Sequence, residues 1–503
     1  MASFRTRRSF LSTSAGLLTG ATLLPTLTPI GRAATVLEPD VVRLRPEIEP
    51  LVRLIEDTPR QKLLEEIGQR VGSGLRYPEL LAALLLAGVR NVEPRPSVGF
   101  KFHAVLVVNS AHLASLSSPD EDRWLPIFWA LDEFKSSQAR DVQEGNWTMS
   151  AVDESAVPNP EHALGFFDEA MQTWDEGKAD AAAAGLCRFV GAHEVLESFA
   201  KYAARDFRSI GHKAIFLANA WRTLQTIGWH HAEPVLRSLA YAMLNHNGEP
   251  NPAHSDLDAD RPWRVNLEQA SQIRGGWQKG RIDDDAARSL LQTLRSATSA
   301  DAAKEVVALL NAEVSPQSIF DALHVAAGEL LMKQPGIVAL HAVTTTNAIR
   351  YLFDTSGIEQ TRRMLLLQNA AFLTLFRDAL PGRGEVSDVT IDALRSGSAA
   401  ESDGAVEEIF SNVGSDRFRA ASGVMTYLSG GQDVQPLMNA ARRLIYLKGN
   451  DSHDYKFSSA ALEDFYKVSP AFRNEFLASS AYMLKGSGDN DNGLNERIRA
   501  ALG

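Results

Sequence analysis

The feature that decides the fold is a short segment that occurs three times in this chain. The copies read Phe102-His103-Ala-Val-Leu-Val-Val-Asn109, Gly211-His212-Lys-Ala-Ile-Phe-Leu-Ala-Asn219 and Leu340-His341-Ala-Val-Thr-Thr-Thr-Asn347. Each has an Ala, then Val or Ile, then an Asn four residues later, with a His one or two positions before the Ala. Similarity within one chain indicates repeated architecture. Because each copy carries a histidine, the similarity also indicates a functional site.

The similarity extends upstream of each copy. When Leu85, His193 and His324 are placed in register, the gaps to the repeat histidines are 18, 19 and 17 residues. This spacing predicts a helix, a short connection and the start of a second helix, used three times. The second copy has an extra Lys213 between its His and its Ala. On helix geometry, that insertion turns His212 by about 100° relative to the other two histidines.

The apolar residues recur at helical spacing along almost the whole chain. One stripe contains Leu80, Leu81, Leu84 and Leu85, which is typical of a helix that buries one face. The pair Ser315-Pro316 predicts a helix start, with Ser as cap and Pro at the first position. The sequence therefore predicts an all-α protein: a large helical bundle with three pseudo-repeated helix hairpins and a C-terminal helical portion.

The N-terminus reads as a targeting signal. The segment Thr6-Arg-Arg-Ser-Phe-Leu11 resembles the twin-arginine export signal, and the apolar run after it, 17–27, is too short for a membrane span. An ordinary secretory signal is the alternative. We expect residues 1–34 to be a signal peptide that engages the twin-arginine export machinery. The mature chain would then be periplasmic, or otherwise exported by this route, with no membrane span.

Two further regions follow the predicted signal peptide. Residues 35–385 form the pseudo-repeat helical core, and residues 386–503 form a C-terminal helical region with a mobile tail. The boundary falls in the stretch 381–403, which is rich in Gly, Ser and Asp and predicts a connection.

Composition excludes several classes of function. The formal net charge is −11, and it becomes −15 when residues 1–34 are removed, which argues against nucleic acid as a partner. A single cysteine, Cys187, excludes an iron–sulfur cluster and any internal disulfide. Covalent haem is excluded because no Cys-x-x-Cys-His motif occurs. No dinucleotide fingerprint or phosphate-binding loop occurs either.

The strongest candidates for chemistry are the histidines of the repeats and of the helices before them. Imidazole is the commonest side-chain metal ligand, and helix bundles build metal sites from facing helices. We expect a transition metal, iron, copper or zinc, but structural histidines kept by duplication are an almost equal alternative. The ferritin-like Glu-x-x-His pattern is absent at all of them. The candidate ligands are His103, His193, His212, His324 and His341.

Two more residues join the candidate list. Arg350 follows Asn347 by three residues, where it can clamp an anionic substrate or form an ion pair between helices. His453 lies between Asp451 and Asp454, an arrangement typical of a proton shuttle or metal ligand, although a solvated turn that opens a helix has the same composition. The candidate catalytic residues are His341, Arg350 and His453.

The segments Phe102 to His112 and His341 to Arg350 resemble parts of the questin oxidase-like family. That family includes fungal enzymes that cleave anthraquinone rings oxidatively in a Baeyer–Villiger-like reaction. The resemblance covers about forty residues and excludes the export signal and the C-terminal portion. It implies functional roles for a small set of positions. These are His103, His112, His341, Thr344 and Arg350.

Two functions remain open from the sequence. The first is an exported oxidoreductase that acts on a small-molecule substrate, with a histidine-lined and metal-bearing centre between the pseudo-repeated helices. The second is a non-catalytic helical repeat scaffold that binds protein partners in the cell envelope.

Overall fold

Helices form wherever the apolar spacing predicts them. The computed structural model describes residues 40–95, 99–244, 248–397 and 404–503, with the backbone alone described at Phe100, so the predicted signal peptide lies outside the described residues. The α-helices of these ranges are, in chain order, α1 (Glu49–Asp57), α2 (Arg60–Gly72), α3 (Tyr77–Asn91), α4 (His103–Leu106), α5 (Val108–Ser117), α6 (Leu125–Glu144), α7 (Ala163–Thr173), α8 (Glu176–Phe189), α9 (Ala192–Ala203), α10 (His212–Ile227), α11 (Ala232–Met243), α12 (Arg261–Ser271), α13 (Asp284–Leu294), α14 (Ser299–Asn311), α15 (Pro316–Lys333), α16 (Ile337–Thr355), α17 (Glu359–Ala379), α18 (Ala405–Asn412), α19 (Arg417–Ser429), α20 (Val434–Lys448), α21 (Ser452–Asp464), α22 (Arg473–Ser480) and α23 (Asn495–Leu502).

The all-α prediction is confirmed. Within the described ranges the chain forms no strand, and extended pairing is limited to isolated bridges between Val41 and Ser150 and between Arg281 and Val314. None of the described helices is both long enough and apolar enough to cross a bilayer.

Each histidine-bearing segment follows an earlier helix after a connection, as the spacing predicts. Helix α3 precedes α4 and α5, α9 precedes α10, and α15 precedes α16. Ser315 caps α15 as expected, since its side chain accepts a hydrogen bond from the backbone N–H of Gln317. His103 and His212 are the first residues of their helices, whereas His341 lies in the second turn of α16. The three copies therefore present their histidines from different points along a helix.

Helix α16 lies at the centre of the bundle. Its residues from Val338 to Ile349 are all buried, and it packs against α10, α15, α17 and α21. Helix α21 in turn packs against α4 and α5. Because a helix that is apolar on all sides must be surrounded by other helices, α16 brings the starts of α4 and α10 and the beginning of α21 to one place.

The start of α10 is held against α16 by two features of its sequence. Gly211 has a φ of +82°, and a Cβ at this position would overlap the side chain of Thr345 in α16. Glycine is required there because it has no Cβ and tolerates positive φ. The next residue after His212 is Lys213, whose Nζ lies 2.6 Å from Oδ2 of Asp206 in a buried ion pair. These contacts fix where His212 points.

The predicted connection at 381–403 separates α17 from α18. Its described part contains two short 3₁₀ turns, at Leu380–Arg383 and Ile391–Ala393. Residues Asp40–Gly503 nevertheless form one unit by their contacts, with α20 and α21 packed against α5. The division of the chain at 385 and 386 stays a prediction.

Candidate metal centre

Three of the five predicted histidines converge on one buried point. The Nε2 atom of His212 lies 3.1 Å from Nε2 of His103 and 2.9 Å from Nε2 of His341. One ligand nitrogen from each of the three lies within 4.8 Å of the other two. All three side chains are buried. Three of the five candidate ligands, His103, His212 and His341, therefore form a group that could hold a metal ion.

The second ring nitrogen shows which tautomer two of these histidines adopt. His212 Nδ1 lies 2.7 Å from the carbonyl oxygen of Ser209, and His341 Nδ1 lies 2.6 Å from that of Ile337. A carbonyl only accepts, so each Nδ1 must carry the proton and donate it. In a neutral imidazole the other nitrogen then carries a lone pair. The Nε2 atoms of His212 and His341 are therefore both acceptors.

The centre disfavours protonation of these two rings. Burial holds the pKa of His212 well below 6.5, and the charge of Lys456 lowers it further. Burial has the same effect on the pKa of His341, where His212 and Lys456 also contribute. Two lone pairs that face each other at 2.9 Å repel unless a cation lies between them. Because the site disfavours a proton, a metal ion is a cation that this geometry can hold.

Two of the three nitrogen–nitrogen separations fit metal–imidazole bonds. Two nitrogens bound at about 2.0–2.1 Å to one ion are about 3.0 Å apart at a right angle and about 3.4 Å apart at the tetrahedral angle. The observed separations, 2.9 and 3.1 Å, need adjustments of tenths of an ångström. The carbonyls of Ser209 and Ile337 supply the support that metal-binding histidines usually have, a partner for the other N–H.

A fourth imidazole, that of His453, lies against the three. Its ring centroid is 4.3 Å from that of His103 and 5.2 Å from that of His341. His453 Nδ1 lies 2.5 Å from Oδ1 of Asp451, which also caps the start of α21. The hydrogen bond from His453 is the main reason that the pKa of Asp451 falls to about 2, so the carboxylate is ionised and Nδ1 donates.

The hydrogen bond to Asp451 uses Nδ1 of His453 and leaves Nε2 without a bond. This atom is buried and has no hydrogen-bond partner among the described residues. Burial lowers the pKa of His453 even though Asp451 opposes that shift. The Asp451 carboxylate is itself 62% exposed. His453 therefore connects the buried histidines to a carboxylate that reaches solvent.

The buried amine of Lys456 lies near His212 and His341, since its charge lowers the pKa of both. Its Nζ is buried and has no hydrogen-bond partner in the described ranges. Burial lowers the pKa of Lys456 to about 7, with Asp451 acting in the opposite direction. Loss of hydration with no compensating partner explains the shift. The amine is thus about half neutral near pH 7.

The remaining predicted residues lie elsewhere. His193 is 64% exposed and lies 3.5 Å from Glu197, a carboxylate that accepts hydrogen bonds at the start of α17. The Nδ1 of His324 donates to the carbonyl of Phe320, and its Nε2 lies 3.6 Å from Asp464. These two candidate ligands belong to separate structural contacts.

Arg350 is also distant from the histidine cluster. It lies nine residues after His341 on the same helix, which is about 13.5 Å along the axis. Its guanidinium pairs with Asp354 and Gln317 and stacks over the ring of Phe320 at 4.6 Å. The ion-pair alternative that the sequence left open for Arg350 is the one that the contacts support.

Sequence reasoning identified His453 beside Asp451 but missed Lys456 and the position of all three residues against the repeat histidines. All three lie in the stretch 447–457, whose density of acid–base groups was the available signal. The sequence offered no indication that this stretch would meet the repeats, because more than a hundred residues separate it from His341.

Comparisons with protein-family models, with curated proteins and with solved structures found no match to this chain.

Proposed function

We propose that this protein is a metal-dependent oxidoreductase whose metal ion binds His103, His212 and His341. One observation carries the proposal: the Nε2 lone pairs of His212 and His341 face each other at 2.9 Å in a buried centre that disfavours protonation. A purely structural pair of histidines would place a proton donor opposite an acceptor. Here both donors are already used on backbone carbonyls.

The ligand chemistry narrows the choice of metal. Imidazole ligands without thiolate suit iron, copper and zinc. If the metal itself changes oxidation state, it is iron or copper, because zinc has no redox chemistry. Such an ion supplies one-electron chemistry and polarises an oxygen bound to it. The resemblance to the questin oxidase-like family, which implies oxidation of a small organic substrate, points to the same reaction class.

His453 is the acid–base residue of the proposed centre. Its ring lies against those of His103 and His341, its Nε2 has no partner among the described residues, and its Nδ1 is held by Asp451. Asp451 orients the ring and favours its protonated form when a proton arrives. Because Asp451 is exposed, it also gives that proton a route to solvent.

Export through the twin-arginine route is a separate part of the proposal. It is supported by the paired Arg7 and Arg8, followed by Phe10-Leu11 and a weak apolar run. A twin-arginine substrate can fold before it is exported, which suits a protein that acquires its metal in a buried site.

Elemental analysis of the purified protein tests the metal proposal. We expect one equivalent of iron or copper in the wild type and at least a hundredfold loss of affinity in His341→Ala, since a ligand that supplies a direct bond is removed. His193→Ala is the matched control, because it removes an exposed histidine and should leave the metal content unchanged. Circular dichroism checks that both variants keep their helices. A wild-type protein that binds none of these metals with useful affinity would favour the scaffold function instead.

A further inference from the structure

A cavity of about 420 Å³ lies between α5, α10, α20 and α21. Its volume lies in the range of small-molecule sites. At its outer end is Tyr466, which is 57% exposed, and at its inner end is Tyr455, which is 1% exposed. The cavity therefore extends from the surface to the core.

A second and much smaller cavity, here called the throat, adjoins the first. The throat shares Asn109, Arg222 and Glu463 with the cavity and also reaches Lys456 and Thr344. Lys456 lies close enough to lower the pKa of His212 and His341, and Thr344 is one turn from His341. The throat has a volume of about 10 Å³, which is room for about one water molecule.

The charged side chains that line the cavity are two arginines and one glutamate, so the wall has a net positive charge. Arg222 is neutralised by Glu463, whose two carboxylate oxygens lie 3.0 and 2.8 Å from its NH2 nitrogen. Arg442 lines the same cavity, and no ion pair or side-chain hydrogen bond engages its guanidinium within the described part of the chain. Burial lowers the pKa of Arg442, as expected for a cation that loses water and gains no carboxylate. An anionic ligand would supply the missing partner.

A second polar group in the wall also lacks a partner. The hydroxyl of Tyr455 is buried and makes no hydrogen bond to any described residue. Its ring is stacked on Trp129, with a centroid distance of 4.3 Å and an angle of 24°, so the hydroxyl is held in place. Leu113, Ile445 and Leu462 contribute apolar surface to the same wall.

We propose that this cavity is the substrate chamber of the metal centre and that it binds an apolar molecule carrying one carboxylate, anchored by Arg442. The assignment of the chamber as a substrate site rests on the proposed function. A guanidinium pairs with a carboxylate in a planar, bidentate geometry. A metal held by neutral imidazoles keeps its full positive charge, which adds to the preference for an anion. The throat admits a narrow end of the ligand toward Lys456 and the histidines.

Calorimetric titration with 2-naphthoate, and with 2-naphthamide as its uncharged counterpart, tests the proposal. We expect the wild type to bind the carboxylate at least about tenfold more tightly than the amide, because a charge-assisted hydrogen bond contributes at least that much. Arg442→Gln should remove this preference. Arg443→Gln is the matched control, since Arg443 is the exposed neighbour of Arg442 on α20 and should leave the preference intact.

A second variant tests the location without removing the charge. Leu113→Trp fills the chamber and should abolish binding of both compounds while Arg442 remains. Equal affinity of the wild type for the two compounds, or an unchanged preference in Arg442→Gln, would overturn the proposal. Metal content is measured on the same samples. Metal without naphthoate binding removes this inference alone, whereas naphthoate binding without metal removes the proposed oxidoreductase and leaves the anion site.

Discussion

The Nε2 atoms of His212 and His341 lie 2.9 Å apart while the Nδ1 atoms of both rings donate to backbone carbonyls. Two neutral imidazoles arranged in this way are both acceptors toward each other. The relationship follows from helix ends: Ser209 precedes the first turn of α10, and Ile337 is the first residue of α16. The carbonyls of Ser209 and Ile337 orient the two rings, and the packing of α10 on α16 brings the lone pairs together.

His453→Gln should keep most of the metal affinity. The Nε2 of His453 is not part of the group of mutually close ligand nitrogens, so we expect a loss of roughly tenfold, typical of a residue that supports a site. His341→Ala should lose far more. Competition with a chelator measures both. A loss in His453→Gln as large as in His341→Ala would identify His453 as a ligand.

Metal affinity should depend on pH through Lys456. The pKa values of His212 and His341 lie well below 6.5, so these ligands stay unprotonated at pH 6. If each imidazole had the ordinary pKa of about 6.5, its protonation at pH 6 would lower metal affinity about fourfold. The pKa of Lys456 is about 7, so below pH 7 it gains a charge that repels the metal. Affinity should fall by at most about tenfold per pH unit.

Lys456→Met provides the check on that assignment. Without the amine, affinity measured between pH 6 and pH 8 should become nearly constant. A pH dependence that persists in this variant would show that the imidazoles themselves titrate in this range.

Gly211→Ala should destabilise the protein and weaken metal binding together. The φ of +82° and the overlap with Thr345 both oppose a Cβ, and left-handed strain alone costs about 1–3 kcal/mol. Gly431→Ala is the control, because Gly431 has a φ of +78° with open space around its Cβ position. Urea unfolding should give a larger loss for Gly211→Ala. Equal losses in the two variants would mean that α10 and α16 do not approach as closely as described.

His112→Gln should change how stability depends on pH. Burial lowers the pKa of His112 to about 4, below its value of about 6.5 in an unfolded chain. Between about pH 6.5 and pH 4, His112 is therefore protonated in the unfolded state and neutral in the folded state. The free energy of unfolding falls as pH falls through this range. From pH 7 to pH 5 this residue costs the wild type about 2 kcal/mol.

The variant lacks that cost. At pH 7 the variant lacks the contact between His112 and Tyr77, and any loss of stability from this change is the same at both pH values. The difference in free energy of unfolding between the variant and the wild type should therefore shrink by about 2 kcal/mol from pH 7 to pH 5. Urea unfolding of both proteins at the two pH values gives the difference. A deficit that does not change with pH would place His112 in a solvated environment.

Changing Arg7 and Arg8 to Lys should leave the precursor in the cytoplasm. The apolar run that follows is interrupted by Thr, Gly and Pro, so it should not support efficient ordinary secretion. Fractionation of cells that express each form measures the outcome. Undiminished export of the lysine variant would favour the ordinary secretory signal.

Local patterns predict the helices and the residues that can bind a metal. Helix α15 begins at Pro316 with Ser315 as its cap because capping and apolar periodicity are properties of neighbouring residues. The repeat likewise contains His103, His212 and His341, although His341 lies in the second turn of its helix and the other two begin theirs. The extra Lys213 did not turn the ring of His212 away from the other two histidines. His212 is the first residue of α10, so the direction in which that helix begins decides where the ring points.

Tertiary packing decided which histidines share a centre. His193 and His324 belong to the same repeat pattern, yet one is exposed and the other is paired with Asp464. His453 and Lys456 come from outside the repeat and lie against it, because α21 packs on α16 and α4. The sequence by itself determined an all-α chain with recurring histidines, through interactions that span a few residues. The composition of the centre depends on contacts between helices more than a hundred residues apart, and spacing along the chain carries no information about those.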